Sequence, residues 1–336
     1  MKWKYKTIKE CIGGSLSSDV VQVARVVNHN AYLLREAVQK IEELSEEIEM
    51  LKKKLEKEDT NEKKYKLTNN VKELYGKKLY QIQALKSFGD VLEGDLGGYI
   101  EDETNLSQEC NAWVYDNACV ADNARIAGNA IIRDDAVIRD NVMVYDAAKI
   151  FNNAVVYGNA KVYNNARVYG YAHVYGNAKI FDVAKVYDNA KIHDNANVFS
   201  NSHVHGNSNV CGNACICGCA ELKDNTKVWD DAFIMGDSVI HSYACICGEA
   251  LITSIEDYSI IIGFGLWQRP TTFFRCKDDK IYVNCGCFQG TIDDFRKQVK
   301  KTRTGKIAEE YLLIADLMEK HFTREKNKKW QLEYIL

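Results

Sequence analysis

Lys149-Ile150-Phe151-Asn152-Asn153-Ala154-Val155-Val156-Tyr157-Gly158-Asn159-Ala160-Lys161-Val162-Tyr163-Asn164-Asn165-Ala166 is one six-residue pattern written three times. In each copy an aliphatic residue comes second, an aromatic third, two turn-forming residues follow, and alanine closes. The register extends in both directions without a break. From Val114, every sixth residue through Ile252 is Val, Ile or, once, Leu222, which makes twenty-four hexads in phase. Two places before the next aliphatic stands a small residue, such as Ala118, Ala130, Ala166, Ser202 or Ala214. A period of six is explained by a three-sided prism in which eighteen residues complete one coil. The aliphatic and the small residue point inward. Gly, Asp and Asn turn the corners, because they tolerate positive φ. β-Branched residues suit the flat sides. Twenty-four hexads make eight coils, and strands stacked about 4.8 Å apart would make the prism roughly 38 Å long.

The rest of the chain sets bounds on that reading. Its 336 residues leave room for more than one module, and 44 Lys and Arg against 47 Asp and Glu give a net charge of -3. Overall charge therefore does not mark a nucleic-acid binder. No apolar run reaches the 18 residues of a membrane span, and no apolar segment follows Met1 to Lys6, so the expected location is the cytoplasm. Reduced thiols are then expected of the twelve cysteines.

Four segments are expected. Residues 1–64 form an oligomerisation segment and linker: Val20, Val27, Leu34, Ile41, Ile48 and Leu55 occupy one heptad seam, and Val23, Asn30, Ala37, Leu44 and Leu51 the other. Self-association is assigned to Val27, Asn30, Leu34, Ile41, Leu44, Ile48 and Leu51, with Asn30 setting register; a lone helix packed on its own chain is the alternative. Residues 65–112 form a small N-terminal capping module, 113–257 the prism, and 258–336 an α+β C-terminal cap with a terminal helix and tail. Covered ends are needed because open strand edges invite stacking between molecules.

The hexad pattern resembles that of the hexapeptide-repeat, left-handed parallel β-helix superfamily, which includes many acyltransferases. More narrowly, Gly94-Asp95-Leu96-Gly97-Gly98-Tyr99-Ile100, Asn111-Ala112-Trp113-Val114 and Cys285-Gly286-Cys287-Phe288 resemble segments of uncharacterised phage and prophage hexapeptide-repeat proteins. The resemblance covers about Tyr65 to Phe322. It implies a left-handed parallel β-helix and a phage context. Together with the heptad seam and the hexad count, the expected fold is mainly β: a left-handed parallel β-helix of about eight coils between an N-terminal coiled-coil helix and an α+β C-terminal cap.

Candidate chemistry lies on the outward positions, which recur every eighteen residues as columns. One wall carries Phe151, Tyr169, Tyr187 and His205 beside Lys149, Arg167, Lys185 and His203. A second carries Tyr145, Tyr163, Phe181 and Phe199 beside Lys161 and Lys179; the third carries Tyr157, Tyr175 and His193 beside His173 and Lys191. Between Ala147 and Lys191 six bases face two acids, Asp182 and Asp188, so 6 - 2 gives +4 locally. Aromatic planes beside cations suit bases and phosphates. Ladders that merely stabilise the walls are the alternative. The expected function is a non-enzymatic interaction protein, a counter-defence inhibitor of a nuclease or CRISPR effector being one form. It would bind a host protein or protein–nucleic acid complex, with RNA or DNA touching the basic wall. The rivals are a trimeric acyltransferase, for which His203 and His205 are the candidate catalytic residues, and a structural rod or filament. No cofactor is implied. No metal is implied either: Cys211, Cys215, Cys217 and Cys219 are spread by a prism over different walls and a corner, and Cys276, Cys285 and Cys287 lack a fourth ligand.

Overall fold

The computed structural model describes residues 27, 31, 33–52, 63–265 and 267–323. It divides into two units, one ending at Lys63 and one beginning at Lys64. In the first, residues 33–52 form a helix, α1. Val27, Leu34, Ile41, Leu44, Ile48 and Leu51 all expose between 46% and 66% of their surface. Asn30, Val20, Val23 and Leu55 lie outside the described residues, as do the charged stretch 53–62 and the tail from 324.

The second unit is a β-solenoid. Twenty-four two-residue strands, β4 (Trp113–Val114) through β27 (Leu251–Ile252), begin every six residues. Each pairs in parallel with the strand eighteen residues on, as Lys149 with Arg167 and Ile150 with Val168. Three sheets of eight such strands result, one of them extended to 11 by three strands from before the hexad series. Every aliphatic residue of the hexad series is fully buried, as is the small residue two places before it. Where that small residue is polar it finds a partner inside: Ser208 Oγ lies 2.9 Å from Thr226 Oγ1.

The corners follow from local chemistry. All the residues two places after the aliphatic, from Asp116 to Gly248, have positive φ. Serine serves here too, at Ser200 and Ser242, which the Gly, Asp and Asn rule did not anticipate. Aspartate is more than tolerated, because its carboxylate accepts the backbone N–H of the next coil, as Asp140 Oδ2 does from Gly158 at 2.8 Å. At Gly170 a Cβ would come within 2.8 Å of the Asp188 nitrogen, so glycine there also permits the close approach of successive coils. One place further on, amides form a ladder along one corner, Asn123, Asn141, Asn159, Asn177, Asn195 and Asn213 each donating to the next and ending on Asp231, at 2.9 to 3.2 Å.

The prism has about nine rungs rather than eight. β1 (Tyr65–Leu74) and β2 (Lys77–Ala84) form a hairpin turned at Tyr75 and Gly76, β2 pairs antiparallel with β3 (Leu96–Ile100), and β3 pairs in parallel with Cys119–Val120. Leu106 bridges in parallel to Ile126. The segment expected to form the N-terminal capping module thus also supplies a first rung without the hexad signature. Tyr65 and Phe88 pack edge-on against Trp113 at 6.0 and 5.3 Å, closing the core at this end.

Beneath them Lys64 is 1% exposed; its Nζ donates to the carbonyls of Ala112 at 2.9 Å and Glu109 at 3.4 Å, and lies 5.1 Å from the Phe88 ring. Burial pulls its pKa down to about 8. Between about pH 8 and 10.5 the unfolded chain therefore holds the lysine proton that the folded chain has released. Stability from this group rises with pH through that window. Tyr65 acts oppositely, because burial raises its pKa. The expected result is that the stability of wild type minus that of Lys64→Met increases from pH 8 to 10, measured by urea unfolding; a flat difference would show that Lys64 is charged when folded.

At the other end β28 (Tyr258–Ile261), β29 (Thr271–Arg275), β30 (Ile281–Cys285) and β31 (Phe288–Thr291) form an antiparallel sheet. It packs on α2 (Ile292–Thr302) and α3 (Gly305–Phe322) through Phe273, Val283, Phe295, Val299, Ile314 and Met318. This sheet sits on the last rungs. Phe274 and Tyr258 join the solenoid core, the Tyr258 hydroxyl donates to the Val239 carbonyl at 2.9 Å, and Ala250 bridges to Cys276.

Candidate functional site

The outward columns stand where the period places them. Phe151, Tyr169, Tyr187 and His205 stack with centroids 4.7, 4.9 and 4.6 Å apart and planes within 4°. Tyr145, Tyr163, Phe181 and Phe199 stack at 4.9, 5.0 and 4.8 Å; Tyr157, Tyr175 and His193 at 4.8 and 4.7 Å. These spacings are the strand spacing itself, so the backbone imposes the stacking. Two arginines that the sequence reading missed extend the ladders, Arg133 lying 5.1 Å over Phe151 and Arg139 4.6 Å over Tyr157. Each follows an inward Ile by one place, so the same column rule would have found them.

Beside the rings run the cations. Lys149, Arg167, Lys185 and His203 are successive partners on one sheet, Lys161 and Lys179 on another, His173 and Lys191 on the third. Their backbones pair within the ladders, but among the described residues the side chains of Lys149, Lys161, Arg167, Lys179, Lys185 and Lys191 have no ion-pair or hydrogen-bond partner. The electrostatic consequence appears in the histidines next to them: burial and Lys191 lower the His173 pKa, and burial and Lys185 lower that of His203. Two like charges about 5 Å apart repel by roughly 0.8 kcal/mol even in bulk water. Among the described residues no carboxylate forms an ion pair with any of these six cations.

One step further along the same wall the chemistry changes. His205 Nε2 lies 3.0 Å from Glu221 Oε1 and Nδ1 lies 3.6 Å from Asp188 Oδ2. A shallow groove beside it is lined by Asp188, His205, Gly206, Asn207, Asp224, Ser242, Tyr243 and Ile262. Glu221 pairs with His203 along the strand but reaches His205 diagonally, two residues short of the coil period. No reading of the columns would have found that contact. His203 turns its edge toward Tyr187 at 6.4 Å and does not join the groove. His193, by contrast, meets Asp194 and Cys211, with one donor atom of each within 4.8 Å of the others.

The cysteine runs do not converge. The eleven described cysteines are free thiols. Burial raises the pKa of Cys217 and Cys247 to about 11 and that of Cys276 to about 12, which leaves them poor thiolate ligands at neutral pH.

Fold and surface together define a hexapeptide-repeat β-solenoid with ring and cation ladders on its walls. No protein-family model matches the chain. A stretch of 38 residues is 53% identical to a protein of Escherichia coli (strain K12) described as the uncharacterized acetyltransferase YdcK; it spans 11% of this chain and 12% of that protein. None of the described helices is long and apolar enough to cross a membrane.

Proposed function

We propose that this protein is an interaction module that binds an anionic surface of a macromolecule through the ring and cation ladders of its middle coils. The observation that carries this reading is the set of six outward cations without an acidic partner, flanked by stacked rings on all three walls. Rings contribute stacking planes and the cations charge, both without the entropic cost of ordering a loop. We take the prism to wind left-handed and its two end modules to act as caps. The exposed seam of α1 is taken to pair copies of the chain in a coiled coil, so that several ladders are presented at once. The partner we propose is a host protein or protein–nucleic acid complex in a bacterial cytoplasm, such as a nuclease or CRISPR effector. The support for that context is the resemblance of residues 65–322 to phage proteins. Capture from a bacterial lysate with and without nuclease tests it: one stoichiometric macromolecule retained by the ladders is expected, and recovery of this protein alone would overturn the reading.

A second reading is favoured by one observation. Glu221 orients His205 through Nε2 at a groove, as a carboxylate orients a general base, and the short acetyltransferase match is compatible with it. Acetyl-CoA turnover that falls at least 100-fold in His205→Gln, and tenfold or more in Glu221→Gln, is expected if this is an acyltransferase. Turnover equal in wild type and His205→Gln would remove that reading.

A further inference from the structure

We propose that His193, Asp194 and Cys211 form a binding site for a zinc-class transition-metal ion. They are the one group of three or more His, Cys, Asp or Glu side chains, among the described residues, whose donor atoms lie mutually within 4.8 Å. The architecture brings them together in two steps. His193 and Cys211 occupy the same outward position on successive coils, His193 closing the Tyr157 and Tyr175 ladder. Asp194 is the corner residue that follows His193, its φ of 56° folding it back toward the wall.

Two of the three donors are held from outside the site, Asp194 through Oδ2 and His193 through Nε2. Asp194 Oδ2 accepts the Gly212 N–H at 3.1 Å, and its other oxygen, Oδ1, lies 3.3 Å from His193 Nδ1. His193 Nε2 is 2.9 Å from Asn209 Oδ1. With Nε2–H donated to Asn209, an ion between Nδ1 and Asp194 Oδ1 would replace the proton those two atoms share and take the Nδ1 lone pair. Donation to Asn209 is the outer-shell arrangement that fixes the tautomer and ring plane of metal-binding histidines. Tyr175 stacks on the ring at 4.7 Å and restrains it further.

Imidazole, thiolate and carboxylate suit a borderline ion such as zinc, and three protein donors leave the fourth tetrahedral position to water. Zinc bonds of about 2.0 and 2.3 Å to nitrogen and sulfur would hold those atoms about 3.5 Å apart, so rotamer adjustments of about 1 Å suffice. The preceding coils lack the set. Their column residues are Tyr157 and Tyr175, and their corners are Gly158 and Gly176. Zinc binds thiolate, so the ion must displace the Cys211 thiol proton and affinity should climb with pH.

Cobalt(II) titration of the full-length, untagged, reduced protein tests the site. The expected result is one equivalent bound with tetrahedral visible bands and a near-ultraviolet thiolate charge-transfer band, both displaced by zinc. Cys211→Ser should lose the charge-transfer band and His193→Gln should weaken binding at least 100-fold. Asn209→Ala should weaken it about tenfold. All three side chains point outward, so far-ultraviolet circular dichroism should be unchanged, and Cys215→Ser should bind as wild type. A spectrum without the thiolate band, or one that persists in Cys211→Ser, would overturn the proposal.

Discussion

Val174→Asp is expected to leave the solenoid unfolded or lower its melting temperature by roughly 8 to 16 °C, as followed by circular dichroism. Val174 is fully buried, between Val156 one coil before it and Ile192 one coil after. A carboxylate there has no donor within the prism and would be buried unpaired, at a cost of about 4 kcal/mol or more. For a structure of this size each kcal/mol lowers the melting temperature by about 2 to 4 °C. A solenoid has no distant contacts to compensate, since each coil touches only its neighbours. The outward neighbour is the control. Tyr175→Ala removes two ring contacts, at 4.8 and 4.7 Å, each worth about 0.5 to 1.5 kcal/mol. A Tyr175→Ala protein that melts lower than Val174→Asp would refute the inward assignment of the hexad aliphatics.

The second large effect concerns binding. Lys149→Glu, Arg167→Glu and Lys185→Glu combined should reduce capture of the partner at least 100-fold while leaving the fold intact. The three side chains form one continuous column, and their reversal takes the charge of residues 147–191 from 6 - 2 = +4 to 3 - 5 = -2. Loss of three favourable contacts and gain of repulsion make roughly 3 kcal/mol a conservative figure. Arg167→Glu alone adds a stability readout, because a negative charge between Lys149 and Lys185 turns like-charge repulsion into two attractive cross-strand pairs, worth about 0.2 to 1 kcal/mol each. Retained partner affinity in the triple variant, measured by surface plasmon resonance, would eliminate the ladders as the contact surface.

Much of this architecture could be read before any coordinates. The hexad register names the inward residue of each short strand, and the wall columns of rings and cations follow by adding eighteen. The first rung was not legible: Ile100 and Leu106 pair with Val120 and Ile126 twenty residues on rather than eighteen, so stepping back by six from Val114 lands on Gln108 and Asp102 instead. Lys64 was equally silent, because its burial depends on a plug of Tyr65, Phe88 and Trp113 brought together across some 50 residues.

The sequence by itself determined the solenoid, its inward and outward faces and the order of side chains along each wall. A strict period that sets an aliphatic and a small residue inward in every hexad leaves the backbone one way to bury them. Only the tertiary structure decided which donors meet. Glu221 reaches His205 and Asn209 reaches His193 across a diagonal of sixteen residues, while Asp194 folds back from a corner toward Cys211 on the next coil. Those meetings depend on side-chain reach and on corner dihedrals, which vary from coil to coil, whereas the period records only the backbone.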